Sequence, residues 1–354
     1  MINKRGYVYT IITIVIALLL LSLITFYFES SRVKTKGVIA KINTDELHYF
    51  VESVKKDLQR SALISGRRAA VYAVNDIIKN REGMKNYNMK ECNGFSYHGK
   101  GSQAAIAELM LCGTLNGKTV NFMENSTLLN WTNKIESNKE FEVEIGIMRI
   151  DIASYDAWNF AITILANISA ERGDSFYYGE FSTISLVPIT GLEDPLYMLK
   201  TNEIDIVPYF ERCNESQIVN GSVINEWIDS KCYHSSNSSY NSPGFFDRLD
   251  GNLNISEKYI NQSRLYFNTT EIGLESFSDL YEFWNHNIDV NFEKNLTWVD
   301  YLYWQDSEGI CCVNGTRIYR IEDKNYTFRI DESHKEKYKI QGADCSGKCD
   351  VVLI

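Results

Sequence analysis

At 354 residues, 44% hydrophobic and 13% aromatic, the chain is long enough to bury a sizeable core. Only four prolines are present, and no low-complexity tract, which excludes a largely disordered body. The net charge of −10 hides an asymmetry: residues 1–100 carry 16 Lys/Arg against 8 Asp/Glu, and residues 101–354 carry 20 against 38. The acidic bulk repels nucleic acid and lacks any finger motif or basic, aromatic-studded sheet, so no nucleic-acid partner is expected.

From Tyr7 to Phe28 the chain has 22 uncharged residues. As a helix they span about 33 Å, enough for a bilayer core. The run is too long for a secretory signal's apolar stretch and ends in Phe26-Tyr27-Phe28-Glu29, with no small-residue cleavage site. Aromatic residues at both ends suit the two membrane interfaces. Residues 1–28 therefore read as a membrane anchor, with lipid as the partner of residues 7–28. Lys4 and Arg5 precede it, and Arg32, Lys34, Lys36 and Lys41 follow. Taken alone, those flanks would hold the C-terminal body inside the cell. The basic stretch also suits anionic headgroups or acidic neighbours.

Residues 29–82 read as a stalk. A polar connector, Glu29 to Ile42 with Gly37 as its permissive point, leads to a long helix that starts near Asn43 with Glu46 three residues on. Leu47, Val51, Val54, Leu58, Ala62, Ser65, Ala69, Ala73 and Ile77 draw one stripe at helical spacing. Its later half is small, which lets another backbone come close. Two readings stand: the stripe packs on the protein's own head, or part of it packs against neighbouring subunits.

Residues 83–200 read as an α+β head. The segment "SQAAIAELMLCGTL" predicts a short helix ending at Gly113. "FEVEIGIMRIDI", "NFAITILANIS" and "EFSTISLVPI" alternate as half-buried strands, predicting antiparallel sheet from about 140 to 190. Residues 201–354 read as a second, turn-rich, β-containing part, with "WVDYLYW", "TRIYRIED" and "YTFRID" as strand candidates and "DVVLI" as a docked apolar tail.

Eight cysteines all follow the anchor: Cys92, Cys112, Cys213, Cys232, Cys311, Cys312, Cys345 and Cys349. An even set of this kind reads as a disulfide framework. Proximity favours Cys92 with Cys112 and Cys213 with Cys232, leaving Cys311 and Cys312 to pair with Cys345 and Cys349 in either order. A zinc site at the last four fits poorly, since vicinal cysteines make awkward tetrahedral ligands. Twelve glycosylation sequons occur, at Asn125, Asn130, Asn167, Asn214, Asn220, Asn237, Asn254, Asn261, Asn268, Asn295, Asn314 and Asn325. Composition alone would give roughly four of this weak motif. The excess and the cysteines outweigh the basic flanks and point to a single-pass protein of the cell membrane with its body outside the cytoplasm.

No catalytic constellation is present: no H-E-x-x-H, no G-x-S-x-G, no phosphate loop, and five scattered histidines. An enzyme is not expected, nor a cofactor or metal. Asp247, Asp250, Asn252 and Asn254 cluster around a turn and offer calcium-like oxygens, but their spacing departs from the twelve-residue calcium loop, and a glycosylated turn is the plainer reading.

Lys4-Arg5-Gly6 followed by the apolar helix resembles the class III signal of archaeal type IV pilins and pilin-like proteins. That resemblance implies cleavage after Gly6 and a helix that packs in a filament core or stays in the membrane. Many such proteins carry Glu five residues after the cut, where this chain has Ile11. The segments "ISLVPITGLEDPLYMLKTN", "GFFDRLDGNLNIS", "WVDYLYW" and "TFRIDESHKEKYKIQG" are similar to an uncharacterised group of archaeal membrane-anchored surface proteins, which implies location and fold but no activity. The expectation is an α+β protein: an N-terminal transmembrane helix and long helical stalk, then a mainly antiparallel β, disulfide-braced extracytoplasmic head. Its expected role is structural or adhesive, as a glycosylated surface protein or pilin-like subunit touching like subunits or other surface proteins. The alternative is a receptor-like module for a small ligand or glycan.

Overall fold

The computed structural model describes residues 4–92, 94–95, 97–200, 207–213, 232–235, 243–252, 261, 263–269, 273–276, 312–313, 316–323, 326–331, 336 and 339. The fold is α+β. It opens with one uninterrupted helix, α1 (Lys4–Asn80). The expected connector at Glu29–Ile42 is part of this helix. Its Lys, Arg and Ala residues are good helix formers, and a single Gly37 costs only about 1 kcal/mol, too little to stop a helix already propagating from both sides. Between Tyr9 and Phe28 the helix is exposed all round, and it is long and apolar enough to cross a membrane.

Next come α2 (Ser102–Cys112), a tiny hairpin β1 (Thr114–Leu115) and β2 (Lys118–Thr119), and α3 (Leu128–Glu136). Three long strands follow, β3 (Glu142–Ser154), β4 (Asn159–Arg172) and β5 (Ser175–Pro188), in the sheet order β3-β4-β5. Helix α4 (Pro195–Lys200), strand β6 (His234–Ser235), helix α5 (Phe245–Asp250) and strand β7 (Leu274–Ser276) lie beyond them. Strands β8 (Cys312–Val313), β9 (Thr316–Asp323) and β10 (Tyr326–Asp331) form a second three-stranded antiparallel sheet. Among the late strand candidates, "TRIYRIED" and "YTFRID" are β9 and β10, paired from Tyr326 against Asp323 to Asp331 against Ile318. "WVDYLYW" and "DVVLI" lie outside the described residues.

The chain forms two compact units, and α1, β3, β4 and β5 supply residues to both. The first comprises 1–56, 134–146 and 167–180. Here Leu47, Val51 and Val54 of α1 are buried with Phe141, Ile145, Ile168 and Ala170. Phe50 stacks on Phe141 at 4.1 Å, and Arg172 lies over Phe141 while its guanidinium pairs with Glu46 at 2.6 Å. Gly146 is a close-approach glycine: a Cβ there would sit 2.2 Å from Asn167 Oδ1.

The second unit comprises 57–133, 147–166 and 181–354. Its core joins Leu58, Ala62, Ala69, Ala73 and Ile77 of α1 to α2, to the sheet residues Ile150, Ile162, Ile164 and Val187, and to Phe245 and Phe246 of α5. The small stripe works as close packing. A Cβ on Gly66 would fall 2.3 Å from Ile162 Cδ1, so only hydrogen fits between helix and sheet. Ala62, Ala69 and Ala73 are wholly buried in this core. The alternative that this stripe faces neighbouring subunits is thereby corrected: its small residues are consumed inside the head.

A buried ion pair ties the loops of this unit together. Arg248 and Asp194, both fully buried, pair directly. Arg248 also donates to the carbonyls of Pro243 (3.1 Å) and Leu274 (2.8 Å), and Asp194 accepts from Tyr233 Oη and the Leu196 N–H, each at 3.0 Å. Satisfying both partners this fully is what makes a desolvated pair tolerable.

Candidate functional site

The second unit contains a cavity of about 820 Å³. One wall is Met148, Arg149, Ile150, Asp151, Ile152 and Ala153 of β3, six residues in unbroken succession. Successive side chains of a strand point to opposite faces, so a cavity over one face would touch every second residue. Contact with all six, together with Thr163 of β4 and Ile184 of β5, means that the cavity reaches from β3 across the sheet to β5. Strands β3 and β5 are the two outer strands of this sheet, with β4 between them.

The facing wall comes from the segment before α2: Phe95, Tyr97, His98 and Gly99. Two devices hold it. Cys92 and Cys112 lie at disulfide distance, with Cα atoms 6.4 Å apart, so the segment is tied to the end of α2. At the other end, Asp250 Oδ1 accepts the Ser102 N–H at 2.8 Å, and Ser102 Oγ donates to the Phe246 carbonyl at 3.1 Å. Tyr266 and Phe267 close one side with further aromatic surface.

One point of the β3 edge is already capped. Gln103 Nε2, on α2, donates to the Ile152 carbonyl at 3.0 Å, and the Ile152 N–H donates to the Tyr97 oxygen. Burial pushes the Tyr97 hydroxyl up to about 12, against the lowering effect of the Ile152 N–H, with Asp151 adding a smaller upward push. Tyr97 is therefore a neutral phenol at any physiological pH. Arg149 and Asp151, two apart on the same face, pair at 2.7 Å. The burial alternation of β3 slips by one residue: Ile145 is buried on the early part, Ile150, Ile152 and Ser154 on the later part.

The acidic cluster of α5 is a set of helix caps. Asp247 Oδ2 accepts the Gly244 N–H at 3.2 Å and Asp250 caps α2. Burial raises Asp247 well above the ordinary carboxylate range. Among the described residues no cluster of three His, Cys, Asp or Glu is placed to hold a metal. Glu108 is a buried carboxylate with four donors: Thr114 Oγ1 and the Gly117 N–H on one oxygen, Tyr87 Oη and the Lys90 N–H on the other. It fastens α2 to the β1–β2 turn.

Cys213 and Cys232 also lie at disulfide distance, with Cα atoms 4.9 Å apart. Cys312 is in β8, and Cys311, Cys345 and Cys349 lie outside the described residues. Asn125, Asn261 and Asn268 are exposed, and Asn130 and Asn167 are half-buried. Asn214, Asn220, Asn237, Asn254, Asn295, Asn314 and Asn325 lie outside the described residues. Gly6 is within α1. The groove had no local sequence signal, since its residues come from six separate stretches of the chain between Phe95 and Phe267. Compared with known proteins, the chain matches no family model, no curated protein and no solved structure.

Proposed function

We propose that the chain is a membrane-anchored, glycosylated cell-surface protein with a structural or adhesive role, its body outside the cytoplasm. A pilin-like subunit is the specific form that the N-terminal resemblance suggests. The observation that carries this reading is the exposed apolar surface of α1 from Tyr9 to Phe28, which water would solvate at great cost and lipid would not. The exposed sequons Asn125, Asn261 and Asn268 support the outward body. The second reading, a receptor-like binding module, is favoured by the groove lined by residues of β3, β4 and β5.

Mass spectrometry of protein taken from native membranes tests both finer points. The surface reading expects glycan on Asn125, Asn261 or Asn268. Unmodified asparagine at all three would count against an exported body. A mature chain beginning at Tyr7 supports the pilin-like form, whereas a mass that retains residues 1–6 removes it and leaves an anchored surface protein.

A further inference from the structure

Resting on the surface-glycoprotein reading, we infer that the groove of the second unit is a saccharide seat and that its occupant is the glycan carried by Asn268 of the same chain. Asn268-Thr269-Thr270 is a sequon. The two residues before it, Tyr266 and Phe267, themselves line the groove. Adjacent Cα atoms are about 3.8 Å apart, so a glycan on Asn268 starts at the groove's rim. Phe267 holds the segment there, its ring meeting edge-on that of Tyr155, the residue directly after β3, at 4.9 Å. Asn268 is exposed, and its φ of 49° lies in the left-handed region that asparagine tolerates better than most side chains. The sequons at Asn125 and Asn261 are also exposed, but neither adjoins a lining residue.

The lining suits a sugar. Phe95, Tyr97, Tyr266 and Phe267 offer aromatic surface, whose negative ring faces attract the polarised C–H groups of a pyranose. Arg149 and Asp151 engage each other through Nε and Oδ2, and a guanidinium and a carboxylate each have further donors or lone pairs for hydroxyl groups. His98 and Thr163 add an imidazole and a hydroxyl. Tethering favours this glycan over a free one. Water competes for every hydroxyl in an open groove whose Tyr266 is 67% exposed, so the contact is weak. A short tether gives an effective concentration on the order of millimolar without any new contact. A site with a Kd of about 1 mM is then substantially filled by the attached glycan and nearly empty at micromolar free saccharide.

The test uses the full chain from native membranes in detergent micelles, with glycopeptide mass mapping and residue-resolved hydrogen exchange. The Phe95 N–H donates to the Cys92 carbonyl at 2.9 Å, so its exchange reports opening of the groove's wall. Mapping should find glycan on Asn268. The Phe95 amide should exchange roughly two- to fivefold more slowly than in Thr270→Val, which removes the sequon and leaves Asn268 in place. Thr270→Ser and Asn125→Gln should match the parent. Tyr266→Ala keeps the glycan and removes its stacking surface. It should exchange as fast as Thr270→Val, and the double variant no faster than either. Oligosaccharide released from the parent and added to Thr270→Val at about 10 μM should not restore slow exchange. Asn268 unmodified, with glycan on Asn125 or Asn261, overturns this assignment alone; all three unmodified overturns the surface reading with it. Equal exchange in the parent and Thr270→Val, or slow exchange that survives Tyr266→Ala, would also overturn it. Full restoration by the free saccharide would make the groove a receptor site for an external glycan instead.

Discussion

The two halves of α1 share one backbone and differ in everything around it. From Tyr9 to Phe28 the side chains are large, apolar on every side and exposed; Leu19 keeps 60% of its surface. From Leu58 to Ile77 the inward face is small and fully buried, down to a glycine pressed against Ile162. Large residues all round satisfy a solvent that is itself apolar and has no fixed shape. Small residues on one face satisfy a fixed partner whose backbone must come close. The two patterns along one helix therefore differ in kind: one half is long and apolar enough to cross a membrane, and the other is built into a protein core.

Four substitutions and one pH series should break or sharpen that contrast. The largest effect belongs to the head alone. Arg248→Met leaves Asp194 buried without its cation and should cost about 3–5 kcal/mol of head stability, whatever the lipid. A thermal melt in two detergents would show equal losses; a loss in only one would tie the head to the anchor's surroundings. Leu19→Arg does the reverse. It should weaken membrane insertion by roughly 2.5–3.5 kcal/mol at helix-centre depth, read as a soluble fraction after extraction, and leave the head's melting point alone. Ala69→Leu puts a larger side chain into the filled core and should destabilise the head by about 1–3 kcal/mol. A fully stable Ala69→Leu head would mean that the stripe is not core. Gly37→Ala has open space around the new methyl and should raise helicity of the exposed stretch by up to about 1 kcal/mol, with no change in the head.

The smallest effect is the pH-linked one at Asp247. Its folded value lies above its unfolded one, chiefly through burial. Its contribution to stability is thus complete below the ordinary carboxylate range and is lost as pH rises through the raised folded value. Asp247→Asn keeps an acceptor for the Gly244 N–H and removes that loss. The variant should gain on the parent as pH rises, in paired melts, and a gap independent of pH would contradict the assignment.

Much of this was legible in the sequence because periodicity carries burial. The stripe of α1, the helix ending at Gly113 and the three strands between 140 and 190 each follow from spacing alone. The unbroken run of α1 through Glu29–Ile42 was not, because polar residues with good helix propensity look like a linker when only hydrophobic pattern is read. The groove was not legible either. Its lining is gathered from Phe95 to Phe267 by the tertiary fold, and no local pattern in the sequence marks those residues. Asp247 and Asp250 were read as part of a turn, with a cation loop as the lesser alternative, and their role as helix caps was not legible because capping carboxylates share residue types with both.

The side of the membrane on which the head lies is the central question. Protease added to intact cells, followed by detection of a label on the head, tests it directly. An outward head predicts that the label is shed while the Tyr7–Phe28 segment stays with the cells. Complete protection of the label until the membrane is broken, with Asn125 unmodified, would place the head in the cytoplasm and contradict the account.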